Sequence, residues 1–204
     1  MDSKSHWEAV YSTKSPDSVS WFQEHAEASL GLIASTGLGD SAAIIDVGGG
    51  ASTLVDDLLA AGYTDISVLD LSAAAMTAAR RRLGVLAGQV TWIEGDITEV
   101  DLPHSRFDIW HDRAVFHFLT DAASRQRYVE QVTQAVRPGG HVIVATFAED
   151  GPEQCSGLPV MRYRADALHA EFGAGFKLLA HQKEEHRTPV GRAQQFVYCY
   201  CRIA

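Results

Sequence analysis

The sequence predicts an α/β protein in which a mostly parallel sheet carries helices on both faces. Three observations lead there. Short apolar, β-like runs alternate with stretches of helical periodicity from Ile44 to Phe147, and parallel neighbours need crossover connections, of which right-handed ones dominate. The run IIDVGGGAS, 44–52, joins a buried strand to a helix through three consecutive glycines. Glycine serves where the backbone turns sharply with positive φ, or where a ligand must come against main-chain atoms. Two late β-like runs, 176–181 and 196–201, have no helix between them and are expected to pair antiparallel.

Ahead of the sheet, residues 2–12 form a short amphipathic stretch with Trp7, Val10 and Tyr11 at helical spacing, and Pro16 marks a turn. The segment 19–38 opens on exposed-looking Trp21 and Phe22. It then becomes helical, with Leu30, Ile33 and Ala34 on one face, and ends at Gly37 and Gly39. Such a segment suits a lid over a cofactor, with Trp21 and Tyr11 as its cofactor contacts, or simple packing on the sheet edge. Strands are expected at 44–47, 66–69, 90–93, 107–110 and 141–147, and helices at 52–61, 72–86 and 122–136. Arg80, Arg81 and Arg82 fall near a helix C-terminus and read as a solvated face. Residues 148–162 read as a loop, 165–172 as a helix, and 188–191 as a hairpin turn. The expected organisation is one domain: an N-terminal helical lid (1–40), a cofactor-binding core (41–147) and an acceptor-side loop, helix and hairpin (148–204).

Composition narrows the function. A formal charge of −9 opposes any binding that neutralises many phosphates, so nucleic acid is disfavoured as a partner. The N-terminus has no signal-peptide core and no apolar run approaches membrane-spanning length, so a cytoplasmic protein without a membrane partner is expected. Cys155, Cys199 and Cys201 make no disulfide framework, and the Cys199-x-Cys201 pair has no second pair to complete a metal site. His111 and His117 do not share a helix face either, and no metal is expected.

In such a sheet, ligands sit beyond the carboxyl ends of the strands. Four candidates fall there: Asp46 with Gly48, Gly49 and Gly50; Asp70 after strand two, suited to a ribose diol; Asp96 and Ile97 after strand three, suited to an adenine amine and ring; and His111-Asp112-Arg113 after strand four. A dinucleotide turn wants a third glycine where this chain has Thr53, and the Walker Gly-Lys pair is missing.

The arrangement resembles the class I, Rossmann-like S-adenosylmethionine-dependent methyltransferases. Their glycine motif is matched by Asp46 to Ser52, with Ser52 where many members carry glycine. Their ribose acid is matched by Asp70, beside Leu71 in VLDLS, their adenine-side acid by Asp96 in EGDI, and their later motifs by FDIWHDRAVFHFL and RPGGHVIVATF. The segments WEAVYSTK and VSWFQ look like those of small bacterial members. The resemblance implies a three-layer sandwich whose seven-stranded sheet is ordered 3-2-1-4-5-7-6 with strand seven antiparallel. It also implies S-adenosyl-L-methionine as cofactor and transfer of its methyl group by in-line displacement.

A sulfonium methyl is already activated, so the protein must align a nucleophile, exclude water and, where needed, help remove a proton. His111 and Asp112 are the candidate catalytic pair, with His111 also expected beside the cofactor. His117, among Phe116, Phe118 and Leu119, reads as a satisfied buried histidine, and Arg162, Arg164 and His186 as surface residues that could line the acceptor pocket. The expected acceptor is a small molecule presenting oxygen, nitrogen or sulfur. The alternative is a protein lysine: several lysine methyltransferases carry an acid at the position of Asp112, although followed by Lys-Gly where this chain has Arg113-Ala114. A non-enzymatic S-adenosylmethionine binder is a third reading.

Overall fold

The computed structural model describes residues 3–204; residues 1–2, where the N-terminal stretch was expected to begin, lie outside the described residues. Strands β1 (Ala43–Val47), β2 (Asp65–Asp70), β3 (Val90–Glu94), β4 (Phe107–Arg113), β5 (Val136–Phe147), β8 (Phe176–Arg187) and β9 (Ala193–Ile203) form one seven-stranded sheet ordered β3-β2-β1-β4-β5-β9-β8. The first five are parallel, and β9 runs antiparallel to both β5 and β8. Counting main-sheet strands alone, this is the expected 3-2-1-4-5-7-6. Two short strands, β6 (Gln154–Cys155) and β7 (Leu158–Pro159), form a separate hairpin inside the segment read as a loop.

The central strands are apolar on both faces because helices cover both. Ile44, Val68 and Ile143 pack toward α2 (Glu27–Ser35), α3 (Leu54–Ala60) and α4 (Ala73–Leu83). Ile45, Val142 and Val144 pack toward α5 (Ala122–Ala135) and α6 (Ala165–Phe172). Side-chain caps set where helices begin: Ser72 accepts from the Ala75 N–H at 3.1 Å and Asp121 from that of Ser124 at 2.8 Å. The N-terminal helix α1 (Ser3–Thr13) lies against α4.

Several expectations need correcting. The buried face of α2 is Ser29, Leu32 and Ile33, with Ala34 exposed, and Trp21 and Phe22 are half-buried rather than exposed. Arg82 is not part of a free solvated face: it grips Asp56 and donates to the carbonyls of Ala51 (2.9 Å) and Ser52 (2.6 Å), tying α4 to the end of the glycine loop. β8 and β9 are longer than expected; β8 is the edge of the sheet, and its charged residues suit a strand that must not pair further.

The consequential difference is in β4. The polar run His111-Asp112-Arg113 looks like a loop in sequence, yet it continues the strand, with His111 opposite Asp46, Asp112 opposite Val47 and Arg113 opposite Ala145. The chain leaves the sheet only at Ala114, whose φ of +76° is left-handed, a conformation costing about 1–2 kcal/mol for a side chain with a Cβ. Successive strand residues point to opposite faces, so His111 and Asp112 cannot form one catalytic pair. Asp112 points into the α5 layer, fully buried. It accepts from the N–H groups of Val115 (2.8 Å) and Phe116 (3.0 Å) and from the hydroxyl of Tyr128 (2.7 Å). It shapes the turn after β4 from behind. Replacing Asp112 by Asn leaves one of these buried donors facing an amide and should destabilise the fold by about 1–3 kcal/mol. Thermal denaturation of Asp112→Asn checks this, and an unchanged midpoint would contradict the structural role.

Candidate functional site

The glycine loop takes its path from two buried carboxylates. Gly48 has a φ of +71° and donates to the Leu69 carbonyl at 2.7 Å, bending the chain off β1. A Cβ on Gly49 would strike the Asp46 carboxylate, and one on Gly50 would strike that of Asp70 and come within 2.8 Å of Ala75 Cβ. A Cβ on Gly48 would strike Val115, which the turn at Ala114 brings across from β4. Asp46 in turn lies 2.7 Å from His111 Nδ1, and His111 Nε2 lies 2.8 Å from Ser29 Oγ on α2. Both ring nitrogens are thus engaged. Ser52 is exposed, and its hydroxyl accepts from the Leu54 N–H at 3.2 Å just ahead of α3.

Asp70, at the end of β2, is almost wholly buried. One of its oxygens accepts from the Ser72 N–H at 2.8 Å, and the Gly50 N–H also reaches the carboxylate. Burial pushes its pKa up to about 7; negative Asp46 and Glu8 add to this, against the pull of the two N–H groups. Glu8, on α1, accepts from the Ala73 N–H at 2.5 Å and so sits on the first free donors of α4. At the end of β3, half-buried Asp96 accepts from the Thr98 N–H and hydroxyl at 2.8 and 2.7 Å, an Asx turn that holds the carboxylate beside buried Ile97.

Beyond these strand ends lies a cavity of about 310 Å³. One half is bounded by Gly48, Asp70, Leu71, Asp96, Ile97 and Val115. The other half is aromatic: Trp7 and Tyr11 from α1, Trp21 from the following segment and Phe118 from the turn after β4, with Cys155 and Pro159 of the β6–β7 hairpin closing it. Trp7 meets Trp21 and Phe118 edge-on, at centroid distances of 5.5 and 5.2 Å, and Trp21 Nε1 donates to Tyr11 Oη at 3.1 Å. α1 is fastened across the opening by Glu8 on one side and by His6, 3.1 Å from Ser156 of the hairpin, on the other. A second, smaller cavity of about 60 Å³ lies behind the glycine loop and is bounded by Asp46, Gly49, Ser52, Ser29 and His111, with Tyr11 and Trp21 shared between the two.

The structure therefore gathers Tyr11, Trp21, Gly48, Asp70, Leu71, Asp96 and Ile97 around one cavity, and Asp46, Gly49, Ser52 and His111 around its neighbour. Gly50 lines neither, serving the approach of Asp70, and Asp112 faces away from both. Arg162 is tied to Gly151 and Glu153, Arg164 to Asp166 and Glu149, and His186 to the Ser20 carbonyl, none of them on a cavity wall. His117 is fully buried and its Nδ1 accepts from the Phe147 N–H, but among the described residues its Nε2 finds no partner, so it is not the satisfied histidine expected. Burial pushes its pKa down to about 3.

Sequence reasoning missed Trp7, Phe118 and Cys155 as wall residues. The helical spacing of Trp7 and Tyr11 was a usable signal; Cys155 offered none. Arg113, expected with His111 and Asp112 after strand four, turns to β8 and β9. This guanidinium reaches Glu184 at 3.2 Å, Tyr198 Oη at 3.2 Å and the Trp21 carbonyl at 3.4 Å, and lies 4.1 Å over the Phe196 ring, between the two cavities.

Comparison with known proteins adds to this geometry. Residues 44–140 match the methyltransferase domain family. No curated protein matches the chain in sequence. Among solved structures, the chain is similar to a protein from work on the conversion of a disulfide bond into a thioacetal group during echinomycin biosynthesis, with a TM-score of 0.81 and 18% identity, covering 99% of this chain and 92% of that one. It is similar to an S-adenosylmethionine-dependent methyltransferase from Anabaena variabilis at a TM-score of 0.75 and 14% identity, over 100% and 96% of the two chains. It is also similar to the Burkholderia thailandensis 1,6-didemethyltoxoflavin-N1-methyltransferase, solved with 1,6-didemethyltoxoflavin and S-adenosylhomocysteine bound, at a TM-score of 0.68 and 21% identity, over 88% and 77%. At these identities the structures establish the fold alone, whereas the family match falls on the segment that carries the glycine loop, Asp70 and Asp96. On that match and the order of those motifs, residues 44–140 form a methyltransferase domain, consistent with a class I, Rossmann-like S-adenosylmethionine-dependent enzyme.

Proposed function

We propose that the protein methylates a small, largely apolar molecule held in the aromatic half of the cavity. The observation that carries this reading is the closure of that half by Trp7, Trp21, Phe118 and the β6–β7 hairpin. A pocket roofed by a helix and walled by rings excludes water and suits a flat organic acceptor better than a mobile lysine on a protein surface. The N1-methyltransferase of Burkholderia thailandensis, solved with its small acceptor bound, is consistent with that choice. The lysine reading leaned on an acid after strand four, and Asp112 is turned into the core.

The walls fit the cofactor. Asp70 is a buried carboxylate at the end of β2, in the place of the ribose acid, and Asp96 and Ile97 stand where an adenine would lie. Gly48 borders both this cavity and the smaller one, where Ser52 and His111 lie. When bound, S-adenosylmethionine supplies an activated methyl group on a sulfonium. The protein's residues bind and orient: α1 and the hairpin close over the reactants, the rings align the acceptor, and His111 holds the glycine loop through Asp46. His111 is a positioning residue in this scheme, not the proton acceptor.

Two measurements test the reading. Release of S-adenosylhomocysteine should be seen with small apolar acceptors and not with lysate protein, and the reverse pattern would restore the lysine alternative. The second concerns Asp70. Its folded pKa is raised, so the carboxyl is protonated below about pH 7, and this group's contribution to stability declines as pH rises from about 4 through 7. A ribose diol donates to the ionised form, so cofactor affinity should strengthen as pH rises through about 7, with a proton released on binding below it. Calorimetry in buffers of different ionisation enthalpy measures that proton. Asp70→Asn should lose both the pH dependence and at least about tenfold in affinity, and native affinity in this variant would refute the ribose assignment.

A further inference from the structure

The aromatic half of the cavity also limits the chemistry of the acceptor, if that half is where the acceptor sits. Its four rings come from three separate stretches of chain and pack edge-on in three pairs: Trp7 on Trp21 at 83°, Trp7 on Phe118 at 77°, Tyr11 on Trp21 at 76°. Trp7 and Tyr11 are tilted by 32°, and all four rings line the one cavity, where aromatic surface is attractive to a cation. The charged groups around that space are mostly acidic. Asp70 and Asp96 line the cavity, Glu8 stands beside Asp70 on α1, and Asp46 lies behind the glycine loop. Arg113, the cation on this wall among the described residues, is matched by Glu184 of β8 and stacked on Phe196. This is a surrounding that favours a positive charge on an apolar, flat ligand.

The thiol and the phenol beside the rings are held protonated. Cys155, on the hairpin, has its thiol pushed up to about 12 by burial, with Arg113 pulling the other way. Tyr11 is pushed above the usual tyrosine range, by burial first and by Asp70 next, and its oxygen already accepts from Trp21. His111 has both nitrogens engaged, by Asp46 and Ser29, and Asp112 and His117 are buried elsewhere. His6, on α1, is turned to Ser156.

We infer that the acceptor is a neutral, flat molecule whose nucleophilic atom carries no hydrogen, a ring nitrogen or a thioether sulfur, and that Trp7, Tyr11, Trp21 and Phe118 hold the cation it becomes. The lone pair of that atom forms the new bond to the methyl carbon, while the electron pair of the breaking carbon–sulfur bond stays with the cofactor's sulfur. The positive charge passes from that sulfur to the product. No proton leaves, so none has to be accepted by the wall, and charge is conserved inside the aromatic box.

The first test is binding, read by tryptophan fluorescence. N-methylquinolinium should bind about tenfold more tightly than 2-methylnaphthalene, a neutral molecule of similar shape. Trp21→Leu and Phe118→Leu should remove the preference, and Trp21→Phe, which keeps a ring, should retain most of it. Circular dichroism and cofactor binding confirm that each variant is folded. Equal binding of the two probes, or tighter binding of the hydrocarbon, overturns the inference. The second test is turnover, with quinoline and thioanisole as separate arms and 2-naphthol and thiophenol as controls. S-adenosylhomocysteine should be released with the first two and with no accompanying proton in weakly buffered solution. Faster turnover of the controls with one proton each overturns the inference but leaves small-molecule methylation standing. Methylation of lysate protein alone, with a cation preference still present in the binding test, would instead sink the small-molecule reading.

Discussion

Two buried carboxylates pressed against the backbone of one loop constrain the rest of the site. Asp46 and Asp70 occupy the space that side chains at 49 and 50 would need, so the glycines admit protein groups as well as a ligand. An unpaired buried charge costs several kcal/mol, and each acid here is compensated locally, Asp46 by His111 and Asp70 by the N–H groups of Ser72 and Gly50. Moving either acid would release the loop from β1 and the start of α4.

From Asp46 the compensation spreads into a buried polar chain. His111 reaches Ser29, Ser29 lies 3.3 Å from Tyr198 Oη, and Tyr198 meets Arg113 and Glu184, which also accepts from Gln23 at 2.7 Å. The chain crosses β1, β4, β8, β9, α2 and the segment before α2, and its members support one another because a low-dielectric interior strengthens satisfied hydrogen bonds as much as it penalises missing ones. It seats Trp21 and the N-terminal segment on the sheet without relying on apolar contact alone. The cavity wall is therefore anchored to the same framework that holds the glycine loop.

α1 is held differently. Its fastenings are Glu8 on the N-terminal donors of α4, the exposed Lys4–Glu94 pair and the His6–Ser156 contact, together with ring packing through Trp7. Exposed ion pairs contribute little, so the rings and Glu8 carry most of the attachment. This helix roofs the cavity, an arrangement suited to admitting and enclosing a ligand.

The alternation of strands and helices, the glycine loop and the acids at successive strand ends were legible in the sequence because each depends on local pattern: apolar period, turn chemistry and position after a strand. The antiparallel late hairpin was legible for the same reason, since two strands with no helix between them cannot cross over. The direction of His111 and Asp112 was not. It depends on where β4 ends, and three polar residues continue as strand only because β1 and β5 flank them on both sides. The alternation of one further strand residue then sends the histidine toward the glycine loop and the carboxylate into the core. The aromatic cavity wall was equally hidden, since Trp7, Trp21, Phe118 and Cys155 are brought together by packing across distant parts of the chain, and no local signal records which aromatic residues will share a space. Cofactor and reaction type were thus written into short-range motifs, while the shape and charge of the aromatic pocket arose only when the N-terminal helix, the turn after β4 and the hairpin folded over the same strand ends.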